Sequence, residues 1–397
     1  MTDTSLVLPE GIHQLAGHYR TTVEQSLKSA GLEHDYISPF HVEPRGSSFL
    51  VGFIVGLVSG QEIFIYVEPD SRRMASPDEK SGVSPGQNLL VWQFPSDPKL
   101  DSLASVVTTE SLGVLFTRLK LGWVPSSVEL LTYRPGRRAM VRCTGGPATV
   151  FVKAVRPSST DRVVGSSRLA HGAGLPAPQV IGWSPAGIAV YETATGLELS
   201  RAYERKLSGK TAIGAAIETL FSLEKVTTSV PSKAPIITNF SWYFEKAIRA
   251  HPAEQDVLTN LEAKIRAAKF KTVRPEDTQT IHGDLHLGQI FVNDDAGHSV
   301  SGVIDLDDMG MGLFGDDIAG LWSNCVASTH LQTVENARSF WQECVEALGG
   351  LVLPRQTDVK RLHSSIAVHL VAQTLSTRGL HPEVAHNLID EAAAHVS

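Results

Sequence analysis

The sequence is poor in cysteine, in long apolar runs and in excess positive charge. Its three cysteines, Cys143, Cys325 and Cys344, stand far apart, lack metal-ligand spacing and cannot all pair. They read as small buried hydrophobes of a reducing compartment, with no structural disulfide. The most apolar run, residues 49–58, is about half as long as a membrane-crossing helix requires. The polar opening MTDTS lacks the basic start and apolar core of a secretory leader. These absences predict a cytoplasmic protein with no membrane partner. Lys plus Arg number 35 against 42 Asp plus Glu, a formal net charge of -7, so no general field exists to hold a nucleic-acid backbone. A monomer is the default expectation.

What is present is a chain of 397 residues, 42% hydrophobic, enough for two or three domains with buried cores. Over residues 11–30 the apolar Ile12, Leu15, Ala16, Val23 and Leu27 recur at three and four spacing, which predicts a helix with one buried face. Runs rich in Val, Ile, Leu and aromatics follow at 49–58, 62–67 and 89–94, parted by Ser59-Gly60 and the polar stretch 70–87, and predict a small antiparallel sheet. A polar helix over 109–118 completes an amino-terminal α+β unit, 1–119, without a chemical motif. Strand patterns resume at 128–133, 139–143 and 148–155, joined by Arg134-Pro135-Gly136-Arg137 and Thr144-Gly145-Gly146-Pro147. A helix with Ser158, Ser159 or Thr160 as cap runs to about 171, and strands at 179–183 and 187–192 close the block. Beyond 196 helical periodicity dominates, at 211–223, 242–249, 253–269, 339–348, 359–377 and 382–396, interrupted by one strand-and-turn segment, 278–317.

That interruption holds nearly all the chemistry. Residues 280–292 read TIHGDLHLGQIFV, a polar turn between apolar flanks, in which Asp284 and Gln289 stand five positions apart. This is the spacing at which a kinase-type loop sets a base carboxylate and a metal-binding amide. Residues 303–308, VIDLDD, form a buried strand ending in Asp305, Asp307 and Asp308. Three acidic groups so close need a counter-ion, and their oxygens suit Mg²⁺, which also accepts phosphate oxygens. Upstream, Lys153 is the lone cation of the apolar run 150–155; an ammonium led out at a strand surface can clamp nucleotide phosphates. The tight turn Pro135-Gly136 is followed by Arg137 and Arg138, two further cations for phosphate.

Taken together these residues resemble the aminoglycoside phosphotransferase and sugar kinase family. HGDLHLGQ and VIDLDDMGMGLFGDDIAGL are similar to its catalytic and metal-binding segments, and Gln289 in its HLGQ context is most like maltokinases and bacterial glucosamine kinases. The resemblance covers roughly 125–397 and is strongest over 280–321. It implies an α+β, protein-kinase-like bilobal fold: a small lobe, 120–195, a mainly helical large lobe, 196–397, and an additional amino-terminal cap, 1–119. It also implies ATP or GTP between the lobes and a hydroxyl of a small sugar or amino sugar as acceptor. Asp284 would then accept the hydroxyl proton, Gln289 and Asp305 hold Mg²⁺, and Lys153 contact the phosphates. Residues 191–194, with Glu192, Thr193 and Ala194, would form the hinge at the adenine, and Asp317 a structural brace. Two features depart from the family pattern. No GxGxxG loop precedes Lys153, and no Glu occurs between Lys153 and Glu192, with Gly165 near the usual position of the lysine's partner and Asp161 as the acidic substitute.

Other readings compete. His286 either faces the acceptor or packs under its loop, and Asp307 is either part of the site or a solvated turn. Trp322, Trp341 and Trp242 either line a sugar pocket or pack in the core. The acceptor is alternatively an aminoglycoside antibiotic. His282, Asp284 and His286 alternatively begin a metallohydrolase site, and a third reading is a nucleotide-binding module without turnover.

Overall fold

The computed structural model describes residues 13–46, 48–69, 89–293, 299–375 and 382–396. The polar stretch 70–87, residues 11 and 12 of the expected first helix and the end of the expected helix 359–377 lie outside them.

Helix α1 (His13–Ser29) buries Ala16, Tyr19, Val23 and Leu27 beside a four-stranded sheet ordered β1 (His34–Arg45), β2 (Ser48–Leu57), β3 (Glu62–Pro69), β4 (Leu89–Gln93). Strand β1 has no clear alternation and contains Pro39 and Pro44, which argue against a strand in the sequence. It forms nonetheless because it lies at the sheet edge and pairs only with β2, with register shifts at His34/Tyr36 and Pro39/His41; edges and bulges are where a missing N–H is tolerated.

Helix α2 (Thr109–Arg118) starts at Thr108, whose side chain accepts the Ser111 N–H. Its buried Leu112 and Phe116, with Leu100 and Leu103, pack against Val141, Val152 and Val190 of a second sheet, each such side chain contributing about 2 kcal/mol. Residues 100–119 therefore share a core with the small lobe, not with the four-stranded sheet. This second sheet is antiparallel and ordered β5-β6-β7-β9-β8. It consists of β5 (Ser127–Arg134), β6 (Arg138–Thr144), β7 (Val150–Val155), β8 (Val180–Ser184) and β9 (Ile188–Glu192), with α3 (Thr160–Gly172) between β7 and β8.

The chain crosses to the large lobe after Glu192. There β10 (Leu197–Glu198) precedes α4 (Gly209–Leu223), α5 (Phe240–Ala250) and α6 (Gln255–Ala267). Four short strands follow, β11 (Gln279–Ile281), β12 (Ile290–Val292), β13 (Val300–Val303) and β14 (Gly310–Gly312). Strands β10, β12 and β13 form one small sheet, and β11 pairs with β14. Helices α7 (Phe314–Leu331), α8 (Glu335–Gly349), α9 (Val359–Gln373) and α10 (Pro382–His395) complete the lobe. Helix α7 packs against α8, α9 and α10 and buries residues on several faces, so it lacks the one-sided stripe that periodicity detects. The whole is an α+β, protein-kinase-like bilobal fold with an added amino-terminal sheet. Among the described residues no helix is long and apolar enough to cross a membrane, and the three cysteines are free and buried.

Candidate functional site

The turn after β11 carries Asp284 with its carboxylate exposed, and its neighbours are held from below. Asp317, buried in the first turn of α7, accepts the His282 N–H at 2.7 Å and the Gly283 N–H at 2.8 Å. Burial pushes the Asp317 carboxyl up to about 6 against the pull of those partners. His282 is fully buried, with Nε2 3.0 Å from the Ile304 carbonyl. Gly283 has φ +87°, and a Cβ there would meet the Asp308 carbonyl at 2.5 Å, so only glycine lets this turn rest on the next one. After Asp284 the chain enters a 3₁₀ turn, Leu287–Gln289. The His286 N–H donates to Gln289 Oε1 at 3.0 Å, and His286 Nδ1 accepts the Gly288 N–H at 3.1 Å. Burial holds the His286 imidazole below its ordinary value.

The second turn follows β13. Asp305 occupies the left-handed region, φ 62°, one of the strained backbone sites that functional turns retain. Its carboxylate meets two cations from the small lobe: Lys153 Nζ on β7 at 2.7 Å and Arg138 Nη1 on β6 at 3.0 Å. Lys153 Nζ also lies 2.6 Å from Asp307 Oδ2. Burial alone would lower the Lys153 ammonium, but Asp307 and Asp305 outweigh it and raise its pKa. Burial works in the opposite direction on Asp305, and Lys153 and Arg138 hold that carboxyl below its ordinary value.

Of the expected site residues, Asp305, Asp307, Lys153 and Arg138 thus converge across the cleft, with Asp284 and Gln289 on the adjoining turn. Glu192, Thr193 and Ala194 lie where the chain passes between lobes. The Glu192 N–H donates to Gln179 and the Thr193 hydroxyl to the Thr149 carbonyl at 2.6 Å. Asp161 is exposed on α3, and a side chain at Gly165 would meet nothing within 4 Å; the lysine's carboxylate partners come from the large lobe. Trp322 packs against the rings of His363 and His395, Trp341 against Phe340, and Trp242 donates to the Gly46 carbonyl. None of the three is among the residues that converge at the cleft.

Arg137 turns away, with Nε 3.2 Å from Glu43 Oε1. Glu43 on β1 is buried and also meets Arg45 at 3.1 Å and Arg134 at 3.4 Å. Burial would raise its carboxyl, but His41 and these guanidinium groups hold it at about 2. Asp97 accepts the Gly136 N–H at 2.5 Å and the Tyr133 hydroxyl at 2.7 Å, and Arg45 donates to the Pro135 carbonyl. The turn between β5 and β6 is therefore gripped by the amino-terminal region. Sequence reasoning missed Glu43, Asp97 and Arg162, because each sits outside any motif and the partners that tie it to the site, Arg134 and Arg137 for Glu43, Tyr133 and Gly136 for Asp97, and the Asp307 and Asp308 carbonyls for Arg162, are distant in the chain.

The donor set fits a hard divalent cation. Asp307 Oδ1 is buried without a partner, and Gln289 Oε1 keeps one lone pair beyond its bond to His286. Among the described residues no three His, Cys, Asp or Glu side chains could hold a metal together. A site of few protein ligands is what Mg²⁺ uses when phosphate oxygens and waters supply the rest. Among the described residues no metal-holding group forms around His282, Asp284 and His286, so the HxDxH triplet does not assemble as a ligand set.

The sequence matches the model of the phosphotransferase enzyme family over residues 133–343, more than half of the chain. The chain belongs to that family. This phosphotransferase is similar to several solved structures. One is an aminoglycoside phosphotransferase from Streptomyces rimosus, with 18% identity over 66% of this chain and 96% of that chain, TM-score 0.41. Another is spectinomycin phosphotransferase in complex with ADP and spectinomycin, 13% identical over 71% and 97% of the two chains, TM-score 0.44. A third is a thermostable mutant of an aminoglycoside phosphotransferase with AMP-PNP and hygromycin B, 14% identical over 73% and 98%, TM-score 0.48. No curated protein matches the chain.

Proposed function

We propose that this phosphotransferase moves the γ-phosphoryl group of ATP to a hydroxyl of a small sugar or amino sugar. The observation that carries the reading is the meeting of Lys153 and Arg138 with Asp305 and Asp307 across the cleft, beside the braced turn that presents Asp284. In this reading Asp284 orients the acceptor hydroxyl and takes its proton as the oxygen bonds to the γ-phosphorus and the bond to ADP breaks. Lys153 and Arg138 offer their charge to the phosphate oxygens, and residues 191–194 bind the adenine through backbone groups. Asp305 and Gln289 would hold Mg²⁺, which would supply positive charge to offset that of the phosphates. Acceleration comes from position and charge neutralisation, because the transition state is loose and needs little covalent help. The buried free cysteines accord with a reducing, cytoplasmic setting.

Coupled release of the nucleoside diphosphate, ADP from ATP or GDP from GTP, with sugars, amino sugars and aminoglycosides tests the proposal and separates the acceptor classes. Asp284→Ala is expected to lose turnover and keep nucleotide binding. Normal turnover by that variant with the preferred acceptor would refute the assignment.

A further inference from the structure

Helix α3 has no glutamate to pair with Lys153, yet it is tied firmly to the site by another side chain. Arg162, in the first turn of α3, donates through Nε to the Asp307 carbonyl at 2.8 Å and through Nη2 to the Asp308 carbonyl at 3.3 Å and the Pro231 carbonyl at 3.1 Å. These contacts join three pieces of chain: the small-lobe helix, the turn that carries Asp305, and the loop before α5. That loop is itself seated on the turn's exit, with the Met311 N–H donating to Val230, the Ser232 N–H to Met311 and the Lys233 N–H to the Asp308 carbonyl. The 3₁₀ turn Leu306–Asp308 packs directly against α3.

We propose that Arg162 is a positioning residue, coupling α3 to the Asp305–Asp308 turn by gripping its backbone in place of a helix glutamate gripping Lys153. The chemistry differs from that of a carboxylate. A glutamate on α3 would fix the lysine and leave the turn alone. A guanidinium bound to carbonyl oxygens fixes the turn and leaves the Asp305 and Asp307 carboxylates to Lys153, Arg138 and a metal ion. The planar fork supplies several donors in fixed directions, so a lysine, with one compact ammonium, cannot span the carbonyls of Asp307, Asp308 and Pro231 together. Arg162 touches neither nucleotide nor acceptor in this scheme; it sets where Asp305 stands when the lobes close.

This inference rests on the proposed function, and its test separates the two. The Mg²⁺ dependence of the thermal shift caused by AMP-PNP, without acceptor, is compared for wild type, Arg162→Ala, Arg162→Lys and Arg162→Gln. The expected result is a loss of about 10- to 100-fold in apparent Mg²⁺ affinity for Ala and Gln, the usual cost of removing a partner that orients metal ligands, with Lys between them and wild type. In turnover, KM for the metal-nucleotide should rise and kcat fall while KM for the acceptor stays put. If Arg162→Ala does not fold, the Lys and Gln variants carry the comparison. Equal Mg²⁺ dependence in every folded variant would overturn the role of Arg162 while leaving the proposed function standing. Absence of any Mg²⁺-dependent shift in the wild type would overturn both.

Discussion

Glu43→Gln is the sharpest perturbation of how the amino-terminal sheet holds the turn between β5 and β6. The carboxylate is 4% exposed and faces Arg45, Arg137 and Arg134 at 3.1, 3.2 and 3.4 Å. Its pKa falls from 4.5 to about 2 in the folded protein, and at about 1.4 kcal/mol per pKa unit that is about 3 kcal/mol of stability. Since the folded value is the lower one, this stability is fully present above about pH 4.5 and disappears as the pH falls towards 2. Glutamine keeps the volume and one acceptor but takes the counter-charge from the half-exposed Arg134 and Arg137, while Arg45 keeps Glu68 at 3.4 Å. About 3–5 kcal/mol is the usual cost of breaking a pair at a buried site, and the exposure of two of the arginines holds it to the lower end. Urea unfolding at pH 7 should therefore show the variant about 3 kcal/mol less stable, and the two proteins should converge as the pH approaches 2. Freed from Glu43, the Arg134–Arg138 turn should also hold nucleotide less tightly. A variant within about 0.5 kcal/mol of wild type at pH 7, the range of ordinary surface changes, would refute the reasoning.

Two further outcomes follow from the large lobe. Gly283→Ala should lower kcat severely and cost on the order of 1–3 kcal/mol in stability, because φ +87° strains any side chain and the new Cβ meets the Asp308 carbonyl; unchanged kcat with wild-type melting would exclude the close seating of the two turns. Burial holds the His369 imidazole down at about 4 from 6.5, so its contribution is complete above the unfolded value and is lost as the pH falls. About 2 kcal/mol should disappear between about pH 7 and 5, and His369→Gln should flatten that part of the stability profile measured by urea midpoints.

The site was legible where chemistry and order coincide along the chain. Asp284 and Gln289 stand out by their spacing on one turn, Asp305 by its place in the run VIDLDD, and the roles expected of them by the family resemblance of those segments; α4, α5, α8 and α10 could be anticipated because each shows an apolar stripe. Helix α7 could not be derived from periodicity, since it lies in the middle of the large lobe and is covered on several sides. Nor could β1, whose prolines are tolerated only because its outer edge is unpaired. Residues 100–119 show the same limit at the scale of domains: their apolar face does not declare which of two sheets it will cover.

The order of one lysine strand, one acidic turn and one strand ending in aspartates was determined by the amino-acid sequence, because backbone connectivity and hydrophobic pattern are local properties. Only the folded chain decided which charges meet. Lys153 took its carboxylates from the opposite lobe, Arg137 went to Glu43 while its neighbour Arg138 went to Asp305, and Arg162 found the backbone of the turn. Such pairings depend on which surfaces pack together over long separations, and desolvation then makes each pairing binding: a buried charge must find a partner, and the partner is whichever group the packing brings within reach.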